Sequence, residues 1–127
     1  MKTYGRTPLH IAVRSGSLAD VSSFCKSAEA ADLDVTDDFG FTALYTACIY
    51  GHVDMMQVLV EAGCDIGKAD LGGLTPLHIA AEKGQAAAVA YLLSCGADRN
   101  VPDTIGRTAL DWANAKGHVA VVDVLAK

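Results

Sequence analysis

The chain of 127 residues has no apolar run approaching the roughly 20 residues that a bilayer-spanning helix needs. A membrane role is therefore not expected. It also lacks a basic excess, with 10 Lys and Arg against 15 Asp and Glu and a formal charge of −5. Binding along a phosphate backbone needs a basic stripe, so nucleic acid is excluded as a partner. Its opening residues, Met-Lys-Thr-Tyr-Gly-Arg, carry no apolar stretch of signal-peptide length. The expected compartment is the cytoplasm, with the nucleus as the alternative. The four cysteines, Cys25, Cys48, Cys64 and Cys95, form no CxxC pair and no zinc-ligand spacing. They read as small apolar residues, and no metal or disulfide framework is expected. No glycine-rich phosphate cradle is present, so no nucleotide or other cofactor is expected.

What the chain does have is repetition. The stretch Thr7-Pro8-Leu9-His10-Ile11-Ala12 returns as Thr75-Pro76-Leu77-His78-Ile79-Ala80. From Thr7 the next threonine of the series is Thr42, 35 residues on, followed by Thr75 and Thr108 at steps of 33. The series Gly5, Gly40, Gly73, Gly106 and Gly16, Gly51, Gly84, Gly117 keep the same steps, as do Val21, Met56, Val89 and Val122. Several independent columns with one period mean an array of similar units within one domain, 1–127. The unit boundaries are expected at 2–36, 37–69, 70–102 and 103–127. The first unit carries a two-residue insertion between Lys26 and Glu29.

Each unit has a physical reading. Thr75 stands where a helix needs an N-cap, with its hydroxyl in reach of the His78 backbone N–H, and Pro76 takes the first helical position, whose N–H needs no partner. Gly84 ends that short helix, because the residue past the last turn often adopts a left-handed conformation. The apolar run Ala86 to Leu93 predicts a second helix that stops at Gly96. The segment Asp98 to Gly106 has the Asp, Asn, Pro and Gly content of a connecting turn. Two such helices cannot bury Leu77, Ala80, Val89 and Leu92 alone, but stacked units can.

A period of 33 together with TPLHIA resembles the ankyrin repeat, and the resemblance covers the whole chain. Asp37, Asp70 and Asp103, each three residues before a hairpin glycine, fit it, as do Gly51-His52, Gly117-His118 and Gly96-Ala97-Asp98. The implied fold is all-α, a helix-turn-helix solenoid with β-hairpin-like loops. Tyr45 and Asp111 depart from the motif by replacing its histidine. The motif histidines His10 and His78 are implied to bond backbone and threonine groups between units. Asp111, Asn114, Asp123 and Lys127 suit a C-terminal cap, and Ser22, Ser23 and Lys26 an N-terminal one. Two readings stay open: a complete array of four units, or a fragment of a longer one.

Catalysis finds little support. All four histidines have structural places, which leaves none to pair with a cysteine as nucleophile and base. The acidic stretch Asp32 to Asp38 lacks the glycine and distal glutamate of a calcium loop and reads as a solvated turn. Trp112 shares its slot with Ile11, Thr46 and Ile79, which suggests packing between units.

The resemblance implies a non-catalytic interaction module or scaffold. Its partner would be another protein, bound on the concave face made by hairpin tips and first helices. The candidate residues are Tyr4, Arg6, Arg14, Phe39, Phe41, Ile49, Tyr50, Leu71, Leu74, Lys83, Arg107 and Lys116. Tyr4, Phe39, Phe41 and Tyr50 fall in slots expected to face solvent. The apolar centre would be Phe39, Phe41, Tyr50, Leu71 and Leu74, ringed by Arg6, Arg14, Lys83, Arg107 and Lys116. That ring suits a partner segment carrying acid, with the chain acting as a monomer. A second reading has Phe39 and Phe41 folded back over their own hairpin. A third makes the chain a self-associating assembly unit.

Overall fold

The computed structural model describes residues 5–27 and 33–126, and no β-strand occurs among them. The helices fall in pairs: α1 (Pro8–Ser15) with α2 (Leu18–Ser27), α3 (Ala43–Tyr50) with α4 (Val53–Glu61), α5 (Pro76–Glu82) with α6 (Ala86–Ser94), and α7 (Ala109–Lys116) with α8 (Val119–Leu125). First helices stack on first helices in the order α1, α3, α5, α7, and second helices on second helices in the order α2, α4, α6, α8. The result is an all-helical solenoid of two layers. Tyr4 and Lys127 lie outside the described residues, as does most of the segment around the insertion.

The threonine column starts the first helices as its chemistry requires. Thr7, Thr42, Thr75 and Thr108 have extended backbone, and each side-chain oxygen accepts the N–H three residues on. Between the layers sit Leu9, Val13, Val21, Leu44, Met56, Leu59, Leu77, Val89 and Leu92, all buried. Each such side chain removed from water contributes roughly 1.5–3 kcal/mol before the entropy of ordering it is counted. Ala47, Cys48, Ala80, Ala81, Ala88 and Ala113 are fully closed to solvent, and their small volume lets neighbouring helices approach.

Hydrogen bonds also join successive pairs. Nδ1 of His10 accepts the Thr7 backbone N–H at 3.2 Å, so its Nε2 carries the proton and donates to the Phe41 carbonyl at 2.8 Å. His78 repeats this with Thr75 at 3.0 Å and the Arg107 carbonyl at 3.0 Å. Both histidines thus cap their own helix and hold the next hairpin. Tyr45 keeps the forward link by another route, donating its hydroxyl to Asp70 Oδ2 at 2.8 Å. Asp111 instead accepts from the Thr108 N–H and hydroxyl of its own cap. In the opposite direction, Gln85 Nε2 donates to the Ile49 carbonyl at 3.2 Å and His118 Nε2 to the Glu82 carbonyl at 2.8 Å.

Asp111, Asn114 and Asp123 are exposed and make a polar C-terminal end. On the first pair, Ser23 and Lys26 are exposed, and Ser22 and Lys26 line a groove shared with Val58, Glu61 and Ala62.

Candidate functional site

The hairpin-like loops are built by aspartate. Asp37 Oδ1 accepts from the N–H groups of Phe39 and Phe41 at 2.9 and 3.0 Å. Asp70 holds Gly72 and Leu74 in the same way, and Asp103 holds Ile105 and Arg107. Each loop also closes on itself through backbone bonds, for example Asp37 N–H to Phe41 O and Gly40 N–H to Asp37 O. A loop so fully bonded presents its tip at little further entropic cost on binding. Adjacent tips are tied as well, because Thr104 donates both its N–H and its hydroxyl to the Gly72 carbonyl. There the fit is close: Gly73 has φ +79, and a Cβ added to it would meet the Thr104 nitrogen at 2.9 Å.

The tips carry exposed apolar side chains. Phe39 is 44% exposed, Leu71 81% and Ile105 71%, and Tyr50 at the end of α3 is 43% exposed. Ile105 was not among the candidates, although it holds the place of Phe39 two hairpins earlier. A column reading of the tips, instead of a count of aromatic residues, finds it. Arg14, Lys83 and Lys116 are also exposed.

The other candidates sit deeper. Phe41 is half-buried, its ring stacked on buried Tyr45 at 4.3 Å between centroids and 13° between planes, which corrects the solvent-facing slot expected for it. Phe39 packs at a tilt on Phe41, with 5.6 Å between centroids and 31° between planes, so the pair is partly folded onto its own hairpin while Phe39 stays open to solvent. Ile49, Leu74 and Arg6 are half-buried.

Arg107 is committed elsewhere, with its guanidinium 4.3 Å over the Trp112 ring and its Nε 3.9 Å from Asp103 Oδ2. Trp112 Nε1 donates to the same Asp103 oxygen at 2.9 Å. These contacts lie within the last hairpin and its own helix. Asp103 is held below the usual carboxylate range first by the Arg107 backbone N–H, then by the Trp112 indole, the Ile105 N–H and the Arg107 charge, against the opposing effect of burial.

Cys48 and Cys64 are buried free thiols; burial pushes both up, Cys64 to about 12, so their nucleophilic thiolate forms are suppressed. The Tyr45 hydroxyl is likewise pushed up, by burial first and then by its bond to Asp70. Among the described residues no three or more His, Cys, Asp or Glu side chains gather as a metal site would require, and no helix is long and apolar enough to cross a membrane.

Stacked helix pairs, joined by aspartate-built loops and threonine–histidine caps, define a helical repeat protein. The chain belongs to the ankyrin-repeat family: the family described as ankyrin repeats (3 copies) matches residues 1–70 and 67–127. Ankyrin repeats are generally protein–protein interaction modules. Among its relatives, BCL-6 corepressor-like protein 1 of Homo sapiens is 35% identical over 65 residues, covering 51% of this chain and 4% of that protein. NF-kappa-B inhibitor alpha of Homo sapiens is 36% identical over 70 residues, 52% of this chain and 22% of that protein. A probable E3 ubiquitin-protein ligase, XBOS33 of Oryza sativa subsp. japonica, is 38% identical over 70 residues, 54% of this chain and 13% of that protein. The match therefore spans less than a quarter of the length of each of these relatives.

Proposed function

We propose that this chain is a non-catalytic protein-binding module made of four repeats, bounded at 37, 70 and 103, that grips a partner protein on its hairpin tips and the open side of its first helices. The observation that carries this reading is the row of exposed apolar tips, Phe39, Leu71 and Ile105, on loops each held by an aspartate that accepts two backbone N–H groups. Apolar anchors on a pre-organised frame are what an interface core requires. Tyr50 extends the row, Phe41 and Leu74 support it from beneath, and Arg14, Lys83 and Lys116 supply charge at its edge for an acidic segment of the partner. Arg107 contributes mainly by holding the last hairpin.

The non-catalytic part of the reading rests on how the reactive side chains are used. His10, His78 and His118 are spent on backbone carbonyls, and Asp103 on its loop. A relative named as an inhibitor of NF-kappa-B, and another named as BCL-6 corepressor-like, support the reading in kind. Free thiols favour a reducing compartment, the cytoplasm or the nucleus.

Affinity capture from lysate of the source cells tests the reading, comparing the native chain with a Phe39→Ser, Tyr50→Ser, Leu71→Ser variant. Phe41 is left intact because its stacking on Tyr45 makes its loss a folding defect as well. A protein retained by the native chain and lost by the variant, with unchanged helical circular dichroism, is the expected result. Identical retention by both forms refutes the role of the tips.

A further inference from the structure

Between the first and second helix pairs the loops are tied by a bond that the next junction does not repeat. Asp34 Oδ1 accepts the Asp65 backbone N–H at 2.8 Å, which joins the loop after α2 to the loop after α4. One period on, Gly67 stands at the place of Asp34 and Asp98 at the place of Asp65. Glycine has no side chain to make the bond, and among the described residues no other group accepts the Asp98 N–H. Leu33 and Cys64 close the first junction and are buried, whereas Ile66 and Ala97, at the same places of the second, are half-buried. A cavity of about 260 Å³ results, with a floor of Ile66, Leu77, Ala97 and Val101. Asp65, Gly67 and Asp98 are exposed at its mouth.

The chemistry of that mouth selects the occupant. An acceptor is needed for the Asp98 N–H. Two carboxylates must also be tolerated: each spends Oδ1 on its own loop, Asp65 on the Gly67 N–H and Asp98 on the Asn100 N–H, and keeps Oδ2 for a further donor. A carboxylate occupant would answer the N–H but be repelled by Asp65 and Asp98. An ammonium would pair with the carboxylates and leave the N–H unanswered, since it has no acceptor. A primary amide carries an acceptor oxygen and two N–H donors on one uncharged head, so it meets both demands. A short aliphatic stem behind it suits the apolar floor.

We propose that this cavity is a second binding site, which takes the side chain of a glutamine or asparagine from a partner protein. The amide oxygen accepts the Asp98 N–H, the amide nitrogen donates to Asp65 and Asp98, and the methylenes lie on Ile66, Leu77, Ala97 and Val101. Gly67 determines specificity, because a side chain at that place closes the seat as Asp34 does at the first junction.

The test titrates three blocked tripeptides, acetyl-Gly-X-Gly-methylamide with X as Gln, Glu or Lys, into the nitrogen-15-labelled chain. The Gln peptide should move the amides of Gly67, Ala97 and Asp98, with saturation on the order of millimolar, as so small a ligand allows. It should bind about fivefold more tightly than either charged peptide, the ratio that one net hydrogen bond supplies. Gly67→Asn puts an amide of the chain's own in the seat, and it should fold normally because φ is not positive and the nearest atom lies 3.7 Å from an added Cβ. That variant should lose the Gln-peptide shifts and slow hydrogen exchange at the Asp98 amide by about fivefold. No saturable shifts, tighter binding of the Glu or Lys peptide, or undiminished Gln binding by Gly67→Asn would each overturn the proposal. So would shifts centred on Phe39, Leu71 and Ile105, or tighter binding of butyramide than of the Gln peptide, which assigns the seat to a free amide. The hairpin-tip variants share no residue with this cavity, so either site can fail without the other.

Discussion

Removing the Tyr45 hydroxyl tests whether a replaced motif residue still joins neighbouring pairs. In Tyr45→Phe the ring keeps its stacking on Phe41, and only the 2.8 Å bond to Asp70 Oδ2 is lost. A hydrogen bond to a charged group is worth about 1.5–3 kcal/mol net. Asp70 is half-buried, and its other oxygen keeps the Gly72 and Leu74 N–H groups, so water can partly replace the lost donor. The expected loss is at the lower end, about 1–2 kcal/mol. With a urea slope of about 1.5–2 kcal/mol per M, the unfolding midpoint should fall by about 0.5–1 M. Circular dichroism and Trp112 fluorescence should report coincident transitions before a single free energy is assigned, because repeat arrays can unfold in parts. A double-mutant cycle with Asp70→Ala isolates the pair: Tyr45→Phe should cost almost nothing once Asp70 is gone. If the loss is below about 0.3 kcal/mol, or unchanged in the Asp70→Ala background, the hydroxyl does not hold the next hairpin and the reasoning fails.

The remaining predictions concern the caps, the tip contacts and the last hairpin. Thr75→Ala removes the oxygen that serves both the helix start and His78, and should cost about 1–2 kcal/mol by urea denaturation. Gly73→Ala forces a left-handed residue with a side chain against Thr104; the backbone strain alone is about 1–2 kcal/mol, so the variant should melt at lower temperature than Gly67→Ala, where the nearest atom is 3.7 Å away and φ is not positive. Asp103 has its carboxyl held below the ordinary 3.8, so its contribution is fully present above the unfolded value and is lost as pH falls through the folded one. Urea midpoints measured from pH 7 downward should therefore drop in the native chain below about pH 4, and that acid limb should flatten in Asp103→Asn. An identical limb in both would remove Asp103 from the account.

The architecture was legible because it is written many times over. A threonine cap, a histidine three residues later and an apolar face are local requirements, and each recurs with the period, so one correct reading at Thr75 carries to the other columns. The departures were visible as departures, but their replacements were not. Nothing local to Tyr45 says that its hydroxyl spans 25 residues to Asp70, because that partner exists only once the pairs have stacked. Trp112 shows the same limit. Its slot predicted packing on the preceding pair, yet an indole N–H demands an acceptor, and Asp103 in its own loop supplies it while Arg107 covers the ring.

Exposure proved least legible, because it depends on neighbours the period does not specify. Phe39 and Phe41 flank the same glycine and look equivalent in sequence, but the Asp37-built loop leaves one open and turns the other onto Tyr45. Ile11 and Ile79 occupy identical words, yet Ile11 is exposed and Ile79 is buried against the preceding pair. A repeat therefore states its packing slots and leaves its binding surface to whichever slots go unfilled. Among the described pairs those are the tips, Phe39, Leu71 and Ile105, which no neighbour covers. The tips tolerate substitution at small cost to the fold, so their identity is free to answer to a partner.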